Sequence, residues 1–327
     1  MASVSRFAVG LISLALAAQA SFAQELTWKH GTVAPKGDAG FLYMGAEKSI
    51  QKLAGVDITM VSLKGDALLT KALLAGEIDS YEGNPGGPMI AASKGADIKI
   101  LGCPWPGLPY ALYTKDDVKS MKDLKGKAIA VSDPGALPDL FARAALRSAG
   151  LDPNKDVQYV RSGSDADRVK ALAVGVVAAA PSSIEFAPKA KELGLKMLVQ
   201  AKDVTPDYLR TCIITTSKVL STKRAAAVAF MAAQMTGLSY ALEHENETIA
   251  LSNKITSAKP DDLSAKEIFR EAKSANMVDP TLAVDPKKFI YLRDLLADGG
   301  LLSRTFDPST ILDPSVRADA AKKAGVK

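Results

Sequence analysis

The sequence predicts an α/β protein made of two Rossmann-like lobes that are joined by a two-segment hinge. Three observations lead to this fold class: a weak internal repeat, an alternation of strand-like and helix-like segments in each half, and a helical last third. A chain of 327 residues is long enough for two domains of about 150 residues each. Its 47% hydrophobic and 24% charged residues are ordinary for a globular protein.

The repeat supplies the first of these observations. Residues 56–76 align with residues 155–175, and eight of the 21 positions are identical. Both copies run from a β-rich segment through a polar loop into an apolar-spaced helix, and they end at Gly76 and Gly175, which suit the left-handed position after a helix. A strand, a Gly/Pro-bearing loop and a helix precede each copy. Each half therefore predicts a mainly parallel sheet with helices on both faces.

The domain boundaries follow from this order. We expect a first lobe from residues 24–114, a second lobe from residues 115–214, and a helical return over residues 215–327 that packs on the first lobe because it has no sheet of its own. Hinge segments are expected near residues 111–115 and 213–217. Helices are predicted near residues 223–244, 247–256, 264–275 and 286–298, followed by a Pro-punctuated tail.

The N-terminus has the pattern of a secretory signal peptide. Arg6 precedes an apolar run over residues 7–18, and Ser21-Phe22-Ala23 offers a cleavage site near Ala23, with Ala20 as the competing site. The run is too short for a permanent membrane span, and no later window reaches about 18 uninterrupted apolar residues. Residues 1–23 are thus expected to be removed, and the mature protein is expected in the periplasm.

Composition and motifs exclude several function classes. The net charge of +5 is mild and the two signs are interspersed, so no nucleic-acid partner is predicted. The sequence has only two His and two Cys, and their spacing matches no metal-binding motif, so we expect no metal site. No cofactor is expected either. The sequence has no Walker A, G-x-S-x-G or G-x-G-x-x-G motif. These absences favour a binding protein over an enzyme.

Several short motifs, in their order along the chain, give the sequence a family resemblance. It resembles the substrate-binding proteins of ABC importers that serve nitrate, sulfonates, taurine and thiamine precursors, which have the type 2 periplasmic binding protein fold. The resemblance implies a monomer that captures a small molecule between its lobes and delivers it to a permease with a separate ATPase subunit. The acidic residue that such proteins commonly carry after the second repeat is missing, since residues 176–180 are apolar. The matching stretches are residues 65–67 (GDA), 72–79 (ALLAGEID), 123–127 (DLKGK), 129–135 (IAVSDPG), 149–153 (AGLDP) and 296–302 (LADGGLL).

Candidate ligand-binding residues lie in the loops that follow strands. In open α/β sheets these loops feed helix N-termini, which carry free N–H groups and partial positive charge. We expect residues 132–137 to hold the charged group of the ligand through backbone N–H donors, although the same residues also suit a simple strand-to-helix turn. The candidates are Thr32, Lys36, Gly37, Asp38, Phe41, Ser62, Lys64, Glu82, Asn84, Trp105, Ser132, Asp133, Gly135, Ala136 and Ser182.

Other readings of these residues remain open. Lys36 has an alternative role as a solvated rim charge, Trp105 as a core residue, and residues 82–88 as a kinked crossover. Cys103 and Cys212 are 109 residues apart in sequence, a separation that sets no geometry, so we expect no disulfide.

The predicted ligand is a small organic anion such as a sulfonate or carboxylate, which helix N-termini favour. Glu82, Asp133 and Glu185 would equally suit an amino-bearing or heterocyclic ligand. Two other functions are alternatives: a periplasmic sensor subunit, and an enzyme similar to the thiamine-pyrimidine synthases of the same fold. The signal peptide disfavours the enzyme, because a biosynthetic enzyme belongs where its metabolites are made.

Overall fold

The structure is a computed structural model that describes residues 26–326, so the predicted signal peptide lies outside the described residues. Two five-stranded sheets form the framework. The first sheet has the order β2-β1-β3-β10-β4. Its strands are β1 (Leu26–Val33), β2 (Val56–Leu63), β3 (Ser80–Gly83), β4 (Lys99–Trp105) and β10 (Thr211–Thr215).

The strands of the second sheet are β5 (Tyr110–Lys115), β6 (Ala128–Val131), β7 (Gln158–Arg161), β8 (Ala179–Ser183) and β9 (Leu195–Gln200). Their order is β7-β6-β8-β5-β9, which repeats the plan of the first sheet.

Each sheet has one antiparallel strand. In the first sheet β1 pairs in parallel with β2 and β3, while β10 runs antiparallel to β3 and β4. In the second sheet β5 is the antiparallel strand. The prediction of two mainly parallel α/β lobes is confirmed.

The two antiparallel strands mark where the chain changes lobes. β5 follows the last parallel strand of the first lobe but pairs in the second sheet, and β10 follows the second lobe but pairs in the first sheet. The changes of lobe therefore lie at residues 106–109 and 205–210. They precede the predicted boundaries at 114 and 214 by a few residues, and the predicted hinge segments coincide largely with β5 and β10 themselves.

The described helices cover both sheets. Helices of the first lobe are α1 (Ala39–Met44), α2 (Lys48–Ala54), α3 (Asp66–Ala75) and α4 (Gly86–Ser93). Those of the second lobe are α5 (Leu137–Ser148), α6 (Asp165–Ala173), α7 (Ala187–Glu192) and α8 (Ala201–Val204). The return comprises α9 (Ser217–Glu243), α10 (Glu245–Thr256), α11 (Ser264–Ser274), α12 (Pro286–Asp298) and α13 (Pro314–Ala324). Short 3₁₀ helices span Met121–Leu124, Ile184–Phe186 and Pro308–Ile311.

Two helices of the return differ from the sequence prediction. α9 begins at Ser217, because the Thr216 side chain accepts a hydrogen bond from the Val219 N–H, and it kinks at Lys223. The predicted tail contains α13, where the Asp313 side chain caps the first turn and Pro314 stands at its first position. An Asp-Pro pair is thus a helix start here and not a break.

The apolar cores explain how the return packs. One core between the first sheet and α9 includes Trp28 and Phe230, and a second core extends from the first sheet into the second lobe. Helix α12 supplies Leu292, Leu295 and Leu296 to that second core and contacts both α4 and α5. The return therefore packs on both lobes, and not on the first lobe alone.

Helix α9 is long and apolar enough to cross a membrane by length and composition, with a mean hydropathy of 1.4 over its most apolar window. Two thirds of that window is buried inside the protein. This pattern is that of the central helix of a folded domain, which is hydrophobic on all sides because it is surrounded.

Cys103 and Cys212 form a disulfide, so the expectation of free cysteines is wrong. Cys103 lies on β4 and Cys212 on the neighbouring strand β10, which joins the first sheet after the chain has passed through the whole second lobe. Sequence separation carries no information about such a pairing, because strand order brings the two side chains together. The bond closes a loop that contains the second lobe.

Candidate functional site

Charged and polar side chains are concentrated where the loops of the two lobes meet. Most of them are buried, which is unusual for charged groups unless they are paired or bind a ligand. We call this set the interlobe cluster. Its members are Lys36, Asp38, Asp66, Glu82, Asn84, Asp165, Glu185 and Arg210.

Two adjacent residues of the first lobe bind carboxylates of the second. The loop after β1 carries Lys36, whose Nζ lies 2.9 Å from Asp165 Oδ2 and 3.7 Å from Glu185 Oε1. The backbone N–H of Gly37 donates to Glu185 Oε2 at 2.9 Å. A Cβ on Gly37 would stand 2.8 Å from both Glu185 Oε2 and the backbone of Ser264, so this approach requires glycine. The two lobes are held together at this point.

We call residues 106–109 and 205–210, where the chain passes from one lobe to the other, the first and second crossover. Arg210 lies on the second crossover and links it to the first lobe. Its guanidinium pairs with Asp38, and its Cζ lies 4.2 Å from the centre of the Trp105 ring, a cation–π geometry. Its backbone N–H donates to the Trp105 carbonyl at 3.2 Å. The sequence prediction for Trp105 left a core and a cleft role open; the residue is fully buried and its ring also contacts Arg210.

The loop after β3 completes the cluster. Asn84 Nδ2 donates to the Arg210 carbonyl at 3.1 Å and to Tyr208 Oη at 3.2 Å. The Asn84 N–H donates to Asp66 Oδ1 at 3.1 Å, and Glu82 Oε1 accepts from Thr211 Oγ1 at 2.8 Å. The loop thus holds the crossover against the first lobe, a more specific role than that of a kinked turn.

Ion pairing across the lobes keeps Lys36 and Asp165 charged. Burial by itself would lower the pKa of Lys36, but the carboxylates of Asp165 and Glu185 outweigh it and raise that pKa. Burial would likewise raise the pKa of Asp165, and the charges of Lys36 and Arg168 instead hold it well below its usual range. Arg168 pairs directly with Asp165, and Tyr110 Oη donates to it at 2.6 Å.

Three other carboxyl groups have a pKa above its usual value, opposite to the shift of Asp165. Burial raises the pKa of Glu82 to about 7, that of Glu185 to about 7 and that of Asp66 to about 6. In each case burial outweighs the neighbouring cations and hydrogen-bond donors. Strongly perturbed groups gathered at one junction are typical of functional sites.

We call the region where the interlobe cluster joins the two lobes the junction. Three buried polar atoms there have no hydrogen-bond partner within residues 26–326. They are Arg210 Nη1, Trp105 Nε1 and Glu185 Oε1. The three residues are 6%, 0% and 3% exposed, respectively. Because a buried polar atom without a partner costs about 1–3 kcal/mol, natural proteins rarely leave such atoms unpaired without a reason.

The loop over residues 132–137 differs from its predicted role. The Gly135 N–H already donates to Asp139 Oδ2 at 2.8 Å, and the Ala136 N–H donates to the Asp133 carbonyl at 3.0 Å. Asp133 is exposed and pairs with Arg161 at 2.7 Å. Toward the first lobe the loop presents the Gly135 carbonyl, which would lie 3.3 Å from a Cβ on Gly86. The N–H groups of Gly135 and Ala136 are therefore already paired within the protein, although the buried Ser132 Oγ has no partner among the described residues.

The remaining candidates are distributed between core and surface. Phe41 belongs to the core, where it stacks on Phe269 and meets Trp105 edge-on. Thr32 Oγ1 donates to the Val33 carbonyl, and Ser182 Oγ donates to the Asp165 carbonyl. Ser62 and Lys64 are exposed and lie at the end of the edge strand β2. The structure therefore brings together Lys36, Gly37, Asp38, Glu82, Asn84 and Trp105 from the candidate set.

Sequence reasoning missed three central residues, which are Asp66, Asp165 and Arg210. A signal for two of them was present, because Asp66 and Asp165 are identical positions of the internal repeat and each is the first residue of its helix, α3 or α6. For Arg210 no local pattern exists. Its role depends on the crossover that returns the chain to the first lobe. Among residues 26–326, no group of three or more His, Cys, Asp or Glu side chains is arranged to hold a metal ion.

Known proteins share this fold at low sequence identity. The periplasmic aliphatic sulphonate binding protein SsuA from Escherichia coli superposes with a TM-score of 0.70 at 19% identity, over 87% of this chain and 91% of its own. The periplasmic nitrate-binding protein NrtA from Synechocystis PCC 6803 gives a TM-score of 0.72 at 16% identity, over 91% of this chain and 89% of its own. The fold is also that of the desulfurization enzyme DSZB, with a TM-score of 0.67 at 15% identity, over 91% of this chain and 99% of its own.

Sequence comparison is more specific than these superpositions. A protein of Brucella abortus that is named as a binding protein is 27% identical over 150 residues, which is 46% of either chain. The chain thus spans about half the length of the curated relatives that it matches. The sequence model described as NMT1/THI5 like matches residues 37–248, a range that contains every member of the interlobe cluster except Lys36. Since this range is well over half of the sequence, the chain belongs to the NMT1/THI5-like family.

Proposed function

We propose that the protein is the ligand-binding component of an ABC importer. In this role it captures a small organic molecule with an anionic group, such as a sulfonate or carboxylate, between its two lobes. The observation that carries the proposal is the buried guanidinium of Arg210. Its Nη1 has no hydrogen-bond partner within residues 26–326. The group lies at the junction of the two lobes, where a ligand would bind between them.

The anionic group would bind at Arg210. Its Nη2 is paired with Asp38, which leaves Nη1 as a charged donor, and the nearby Trp105 Nε1 is a second donor without a partner. Charge-assisted hydrogen bonds to an oxyanion are roughly twice as strong as neutral ones. Two donors from one lobe would therefore fix the anion before the second lobe closes over it.

Transport also requires export and partners. The signal peptide expected over residues 1–23 would place the mature protein in the periplasm, where SsuA and NrtA are also located according to their names. A monomer that docks both lobes on a permease, with a separate ATPase subunit supplying energy, is the arrangement that we propose. Hinge motion would use the crossovers, because hinges of this kind absorb the conformational change in a few residues at element ends.

A thermal-shift screen of residues 24–327 tests the proposal. The probes are aliphatic sulfonates, carboxylates, nitrate and thiamine precursors, and a ligand at about 100 times its Kd should stabilise the folded protein by about 2.7 kcal/mol. Arg210→Lys keeps the charge that pairs with Asp38 but removes the free Nη1, so it should weaken binding of the hit at least tenfold. Arg161→Lys, on the exposed surface, is the matched control and should leave binding unchanged.

Two further measurements separate capture from catalysis. Small-angle scattering should show a smaller radius of gyration when the cognate ligand saturates the protein. Mass spectrometry should recover that ligand unchanged after prolonged incubation. A chemically altered ligand would instead support an enzyme of this fold, and equal binding by the wild type and Arg210→Lys would contradict the anion site.

A further inference from the structure

We infer that the ligand is amphoteric: besides its anionic group it carries a protonated amine, which binds the carboxylate of Glu185 in the second lobe. The inference rests on the proposed function and adds the chemical class of the ligand. It concerns the second lobe, whereas the anion site described above belongs to the first lobe and the crossover.

Two buried atoms without a partner in residues 26–326, Arg210 Nη1 and Glu185 Oε1, have opposite chemistry. Arg210 Nη1 can only donate a hydrogen bond, and Glu185 Oε1 can accept one. Arg210 pairs with Asp38 while Glu185 binds the N–H of Gly37, so the two groups approach consecutive residues of one loop. A molecule that satisfies both atoms must therefore offer an acceptor at one end and a donor at the other.

The ammonium group of Lys36 already lies beside the carboxylates of the second lobe. Lys36 Nζ lies 2.9 Å from Asp165 Oδ2 and 3.7 Å from Glu185 Oε1. Asp165 has further partners in Arg168 and Tyr110, whereas Glu185 Oε1 is beyond hydrogen-bond distance of Lys36. Glu185 thus retains the capacity for one more N–H donor, and Lys36 shows that this environment accepts a primary ammonium.

The buried acceptor also excludes a ligand that has only an anionic group. Such a ligand would leave Glu185 Oε1 buried without a hydrogen-bond donor from residues 26–326. An amphoteric ligand supplies that donor.

The experiment compares matched pairs of ligands by isothermal titration calorimetry. A panel of α-, β- and γ-amino acids and of simple carboxylates and sulfonates is screened first. Each hit is then titrated beside the compound of the same skeleton with the amine removed, or added. The inference predicts that the member with the amine binds at least tenfold more tightly.

Variants connect this selectivity to Glu185. Glu185→Gln keeps an acceptor for the Gly37 N–H but removes the charge, and it should reduce the preference for the amine-bearing member to below threefold. Glu192→Gln, an exposed carboxylate on α7, is the control and should keep the full preference. A purely structural effect of Glu185→Gln on lobe closure would weaken both members of a pair equally and leave their ratio intact.

The possible results distinguish this inference from the function on which it rests. Equal affinity for both members of a pair, or a ratio that Glu185→Gln does not change, overturns the amphoteric ligand and leaves anion capture standing. Failure of every acid in the panel to bind the folded protein overturns both.

Discussion

The backbone N–H of Gly37 donates to Glu185 Oε2 at 2.9 Å, and this hydrogen bond crosses from one lobe to the other. The donor belongs to the loop after β1, and the acceptor follows β8 of the second sheet. Because Lys36 pairs with Asp165 beside it, the two lobes are joined by a hydrogen bond and an ion pair at the same place. In this structure, polar contacts of the protein itself therefore hold the two lobes together at this point.

Replacing Gly37 with alanine should hold the lobes apart. The new Cβ would meet Glu185 Oε2 and the Ser264 backbone at 2.8 Å, and a backbone neighbour cannot move aside easily. We expect the unfolding free energy to fall by roughly 1–3 kcal/mol and the radius of gyration without ligand to rise. Urea unfolding and small-angle scattering measure the two effects. Gly87→Ala is the control, since a Cβ there meets nothing within 4 Å; an identical response of the two variants would contradict this prediction.

Glu82→Gln should change how stability depends on pH. Burial raises the pKa of Glu82 from 4.5 to about 7, so the folded state holds this proton over a range in which the unfolded state has released it. The wild-type unfolding free energy should therefore fall as pH rises from about 4.5 to about 7. The raised pKa values of Glu185 and Asp66 make the unfolding free energy fall over a similar pH range. The charged and polar groups that face Glu82 are Arg210, Asp38 and Thr211.

Glutamine has no proton to release, and it can still accept from Thr211. Glu82→Gln should flatten this slope and be more stable than the wild type at pH 8, by on the order of 2 kcal/mol. Urea titrations between pH 5 and pH 8 measure the difference, with the exposed Glu77→Gln as the control. A variant that is less stable than the wild type at pH 8 would show that the ionised carboxylate is stabilising.

Removing the disulfide should destabilise the protein. The bond between Cys103 and Cys212 spans 109 residues, and cross-links that close long loops restrict the unfolded chain most. The double variant Cys103→Ser/Cys212→Ser should lose about 2–5 kcal/mol of unfolding free energy. Reductant should have the same effect on the wild type and none on the variant. If reductant leaves the wild-type unfolding curve unchanged, the disulfide does not form in solution.

Gly135→Ala tests the contact between the second lobe and the segment that follows α12. Gly135 has a φ of 78°, and a Cβ there would lie 2.7 Å from Leu301 Cδ1. Gly126 has the same φ and no neighbour within 4 Å of such an atom, so Gly126→Ala measures the backbone cost alone, about 1 kcal/mol. We expect Gly135→Ala to cost about 1 kcal/mol more. Equal losses in thermal unfolding would mean that Leu301 moves aside without penalty.

Local patterns in the sequence were sufficient to predict the two α/β lobes. The identity between residues 56–76 and 155–175 predicted two similar α/β units, and the structure gives both copies a strand, a helix and a left-handed glycine, Gly76 or Gly175. Such patterns are legible because periodicity, caps and terminal glycines act over a few residues. The same repeat contained Asp66 and Asp165, whose importance appears only once both helices face the junction.

The tertiary structure alone decided which residues share the junction. The chain enters the second sheet at β5 and returns to the first sheet at β10. This return places Arg210 beside Trp105 and Asp38, and Cys212 beside Cys103. The tertiary structure also decided that the Gly135 N–H donates to the Asp139 side chain. These contacts join residues far apart in the chain, and no local spacing encodes them. The sequence by itself determined the two lobes, their internal repeat and the export signal expected before them. The pairing of opposite charges between the lobes depended on strand order. A buried charge is costly unless it is paired, and only the fold decides which oppositely charged side chain lies close enough to pair with it.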